Sequence, residues 1–107
     1  MAERQEPNEF TLKEITEILR KNKVEMQKKY QVMDIGVFGS YVRGEQKVRS
    51  DVDILVEFNE GNIPGLYRFI EFENYIAKLL RKKVDLVRRG AIRPELKDII
   101  LSEVIYI

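Results

Sequence analysis

Gly39-Ser40, followed after ten intervening residues by Asp51-Val52-Asp53, is the stretch of this chain whose residue types and spacing could carry a reaction. On an extended strand, side chains two positions apart leave the same face, so Asp51 and Asp53 would project together. Asp85 lies within the apolar run Lys83-Val84-Asp85-Leu86-Val87, where a lone acid is unusual; beside the first run its carboxylate would join the pair. Two like charges about 4 Å apart repel by roughly 4 kcal/mol at an effective dielectric of about 20, so such a cluster calls for a cation. The chain has no Cys and no His, which leaves oxygen donors and selects a hard ion. Mg2+ binds through one or two carboxylates and completes its octahedron with water and substrate phosphates. A nucleoside triphosphate is the matching substrate. Gly39 would let the backbone approach a phosphate, Ser40 offers a hydroxyl, and the N–H groups of a turn opening a helix form an anion site.

Each feature alone is ordinary, since Gly-Ser is a common turn and acid pairs are usually solvated. Together they are not: at average composition the full spacing arises by chance in roughly one chain of this length in several hundred. Other chemistries are excluded by what is missing. Without Cys or His there is no disulfide scaffold, zinc finger, thiol nucleophile or imidazole base. Nineteen Lys and Arg against eighteen Asp and Glu leave +1, so no direct nucleic-acid binding is expected. No run of about 18 apolar residues is present, and Met1 to Phe10 is polar; neither a membrane span nor a signal peptide is expected, and the address is the cytoplasm.

The elements that must position these residues can be read from periodicity. With 107 residues and 44% hydrophobic content, one domain over residues 1–107 is expected. Thr11 and Glu14 form a capping box, with Phe10 and Ile15 as a hydrophobic staple, opening a helix that runs to Tyr30. Met33, Ile35 and Val37 then alternate as the buried face of a strand over Gln31 to Phe38. Tyr41 to Ser50 has room for one helical turn and a loop before a second strand, Val52 to Phe58. Asn59 to Gly65 reads as a loop, Leu66 to Leu80 as a helix, Lys83 to Val87 as a third strand, and Pro94 opens a last helix. The fold class is α/β (α+β), in the order αββαβα, with a small mixed sheet packed against helices. Tyr67, Phe69, Phe72 and Tyr75 read as core packing, not a base-stacking platform. Arg81, Lys82, Lys83, Arg88, Arg89 and Arg93 surround the third strand, either as solvated strand ends or as a contact for an acidic partner or the triphosphate. Val104 to Ile107 reads as an edge strand, or else as part of a partner surface.

Val37 to Glu45, Ser50 to Phe58 and Lys83 to Val87 resemble the minimal nucleotidyltransferases of the DNA polymerase β-like superfamily. The likeness runs from about Gln31 to Ile107, with Ile92 to Glu103 similar to that family's final helix; Val42 stands where a smaller residue is frequent. The resemblance implies the nucleotidyltransferase fold and two-metal transfer. Asp51, Asp53 and Asp85 would be catalytic and hold Mg2+, two ions in all, with ATP as substrate, and Asp85 would also activate the acceptor hydroxyl. Gly39 and Ser40 would hold the departing pyrophosphate. Arg43 would neutralise phosphate charge or form an ion pair with Glu45 or another acid. The family further implies an antitoxin that transfers AMP to a tyrosine of a HEPN ribonuclease toxin. Two alternatives stay open: a binding module that blocks its toxin sterically, and transfer to a small molecule or an RNA end.

Overall fold

A computed structural model describes residues 10–107; the leader reading of residues 1–9 lies outside them. The first helix, α1 (Leu12–Lys21), begins at the expected box: Thr11 Oγ1 accepts from the Glu14 N–H at 3.1 Å, and Glu14 Oε1 accepts from the Thr11 N–H at 2.9 Å. The helix does not run unbroken to Tyr30. Asn22 turns its amide back onto the Ile18 carbonyl at 2.8 Å, competing with the backbone ladder, and α2 (Lys23–Tyr30) starts after it. Ile15, Leu19, Met26 and Tyr30 nevertheless remain on one buried face.

Strand β1 (Val32–Phe38) leads into a single helical turn, α3 (Ser40–Arg43), and then into β2 (Val52–Phe58). Helix α4 (Leu66–Leu80) crosses to β3 (Val84–Arg88), and a 3-10 turn over Arg89–Ala91 precedes α5 (Pro94–Glu103) and the two-residue β4 (Ile105–Tyr106). The sheet order is β3-β2-β1-β4, with β2 and β3 parallel and the other pairs antiparallel, so the architecture is mixed α/β as expected. No helix among the described residues is long and apolar enough to cross a membrane.

One face of the sheet is covered by α1, α2 and α4. Phe72, Ile76 and Leu80 pack with Ile15, Leu19, Met26 and Tyr30 over Val52, Ile54, Val56 and Phe58. Phe69, Phe72 and Tyr75 join this layer through ring contacts with Tyr30 and Phe58, whereas Tyr67 is 94% exposed and takes no part in the core. Alternation in β1 departs from the expected pattern because a register shift falls between Val32 and Asp34. The shift turns Met33 to the exterior and places Val32, Ile35 and Val37 in the core.

Candidate active site

The two central strands bring the chemistry-bearing residues to one end of the sheet. Phe38, the last residue of β1, pairs with Asp53 on β2, and Asp53 pairs with Asp85 on β3. Gly39 therefore emerges beside Asp53. Its φ of +83° lies in the region glycine occupies without strain, and a Cβ there would come 2.1 Å from Asp53 Oδ2. Only a residue without a side chain lets the turn into α3 close over the acid. Ser40 opens α3, and Tyr41 anchors it by burial.

Asp53 is half-buried on the central strand, while Asp85 is exposed because β3 is an edge of the sheet. Asp51 precedes β2, after a turn in which Ser50 Oγ accepts from the Lys47 N–H at 2.8 Å. Burial first, and then the charges of Asp85 and Asp51, push the Asp53 carboxyl up to about 6; Arg43 opposes the shift and Glu103 adds to it. Among the described residues no three carboxylates close on a common point tightly enough to hold an ion unaided. Oxygen donors of this kind, mutually repelling and incomplete as a cage, fit Mg2+, which takes its remaining ligands from water and substrate phosphates.

Arg43 adopts the ion-pair arrangement. Its Nε donates to Glu45 Oε1 at 2.9 Å, and its Nη1 donates to both carboxylate oxygens of Glu103 at 3.1 Å. The bonds to Glu45 and Glu103 raise the guanidinium's affinity for its proton. Glu103 also accepts from the Gly39 N–H at 2.8 Å. Periodicity gives no sign of this contact, since Glu103 ends α5 and lies 64 residues away in sequence. In the basic run, Arg89 pairs with Glu57 at 3.3 Å and Lys82 Nζ donates to the Val48 carbonyl at 2.5 Å, so these two serve local contacts. Four surface grooves, of about 590, 260, 270 and 480 Å3, are lined by residues other than the three aspartates.

Residues 13–107 match the family model of the nucleotidyltransferase domain, and the chain belongs to that family; it is a nucleotidyltransferase. Among curated proteins it is 50% identical over 98 residues to the protein adenylyltransferase MntA of Thermococcus cleftensis, covering 92% of this chain and 97% of that one. A solved minimal nucleotidyltransferase aligns with a TM-score of 0.72 at 29% identity, over 90% of this chain and 95% of the other. A toxin-antitoxin solved with AMP-PNP aligns with a TM-score of 0.64 at 26% identity, over 88% and 69% of the two chains.

Proposed function

We propose that this nucleotidyltransferase moves AMP from ATP to a tyrosine hydroxyl of a partner HEPN ribonuclease toxin, and so acts as its antitoxin. The observation that carries the reading is the closure of Gly39-Ser40 over Asp53, with Asp85 paired beside it on an open edge strand. The likeness to MntA, a protein adenylyltransferase by name, supports AMP as the group moved, and the toxin-antitoxin solved with AMP-PNP supports the setting.

In this mechanism Ser40 and the turn that opens after Gly39 would hold the β- and γ-phosphates, with Arg43, held by Glu45 and Glu103, lending its charge from beside them. Asp51, Asp53 and Asp85 would hold Mg2+, whose charge would offset the repulsion between the triphosphate and its attacker and the charge building on the pyrophosphate. Asp85, being exposed at the sheet edge, meets the acceptor hydroxyl and takes its proton as the oxygen bonds to the α-phosphorus. The bond from that phosphorus to the pyrophosphate oxygen breaks, leaving AMP on the acceptor. The likeness to a protein adenylyltransferase favours a protein acceptor over a free metabolite.

The test is label transfer from α-labelled ATP with Mg2+ to a cognate HEPN protein. Wild type should label it and Asp53→Ala should lose at least about 100-fold in rate. Equal labelling by the variant, or labelling of the HEPN protein at a residue other than tyrosine, would refute the mechanism or the acceptor respectively.

A further inference from the structure

The geometry points to Glu103 as the positioning residue of the transfer site, holding the phosphate turn and Arg43 in place; the inference rests on the transfer reading above. Its side chain is 16% exposed, and both oxygens are engaged by the frame of the phosphate turn: the Gly39 N–H, which is thereby spent on holding the turn, and the Arg43 Nη1. A single carboxylate thus ties the turn that follows β1 to the first cation beyond it. Arg43 is pulled from its other side by Glu45, so its planar head is fixed between two acids instead of sweeping through solvent.

Glu103 is itself fixed by the strand that follows its helix. Glu103 ends α5 two residues before β4, where Gly36 pairs with Tyr106 and Val37 with Ile105, so the short strand holds the helix end beside β1. The register is held on both sides: the Ile107 N–H donates to the Ile35 carbonyl at 2.9 Å, and Lys23 Nζ donates to the Ile107 carbonyl at 2.7 Å. Gly36 is required for it, since a Cβ there would lie 2.7 Å from the Ile105 carbonyl oxygen. The chain therefore delivers a charged acceptor to the Gly39 N–H from a helix end that β4 pins to the sheet. A surface ion pair would need no such support, because exposed pairs contribute little.

Glu103→Ala should weaken binding of AMP-PNP with Mg2+ by about tenfold in calorimetry and raise KM for ATP by a similar factor, with KM for the acceptor protein unchanged. Glu103→Gln keeps an oxygen for the Gly39 N–H and should recover most of that loss. Arg43→Ala combined with Glu103→Ala should cost less than the two single losses together, because both act through one contact. Wild-type nucleotide affinity in Glu103→Ala, a Gln variant no better than Ala, or a rise in both KM values would overturn the positioning role. The two readings fail separately: wild type labelling no more than Asp53→Ala sinks the transfer reading, whereas active wild type with an indifferent Glu103→Ala sinks this one alone.

Discussion

A half-buried aspartate facing two others is a defined electrostatic load. The folded state holds the Asp53 proton more tightly than the unfolded chain does, its carboxyl being raised from 3.8 to about 6. The proton's contribution to stability is therefore full below about pH 3.8 and lost as pH rises past about 6. Asp53→Asn preserves shape and removes the charge. Without metal at neutral pH it should melt about 2 to 5 °C above wild type, and the gap should close as pH is lowered toward the ordinary carboxylate value. Thermal melts across that range check this, and coincident melting at neutral pH would show that the ionised carboxylate is unstrained. The same sign predicts that nucleotide and metal binding by wild type weaken as acidification refills Asp53 with its proton.

Among the elements, β4 shows how much a two-residue strand can determine. Gly36→Ala would drive a methyl into the Ile105 carbonyl, and overpacking of that kind costs about 1–3 kcal/mol. The variant should melt several degrees lower and bind AMP-PNP more weakly, although Gly36 touches none of the three aspartates. Calorimetry on the two proteins measures both effects, and a stability loss with intact affinity would uncouple β4 from the site. Much of this layer was legible beforehand. The capping box, three strands, α4, the Pro94 start and the apolar edge segment at 104–107 follow from local spacing, which local physics governs. Three things were not legible. The Asn22 break depends on a side chain choosing a carbonyl one turn back, and Met33 faces out because a bulge resets a strict alternation. Glu103 reads as one more helix-end acid until the fold brings its side chain to Gly39. The pairing of Asp53 with Asp85 was foreseeable only on the condition that their strands were neighbours, which the crossover through α4 supplies.

For the molecule as a whole, near-neutral net charge leaves local fields to do the recognition. Ions and nucleotide that bind the folded acids and not the unfolded chain stabilise it by mass action, about 2.7 kcal/mol at a hundredfold excess over Kd. Mg2+ with ATP should accordingly raise the melting temperature by about 10 °C, and Asp53→Ala should abolish the shift. A shift retained in that variant would place the binding elsewhere. The long reach from Gly39 to Glu103 also gives the site a history. The ribosome makes the phosphate turn first and its carboxylate anchor 64 residues later, an interval of roughly 3 to 13 seconds at about 5–20 residues per second. During that interval β2, β3 and the three aspartates are made in turn, all of them before the carboxylate that binds the Gly39 N–H. The last of the three acids, Asp85, is itself made 46 residues after Gly39, so only a chain cut short between Asp85 and Glu103 would carry all three and still lack the carboxylate that holds Gly39 and Arg43.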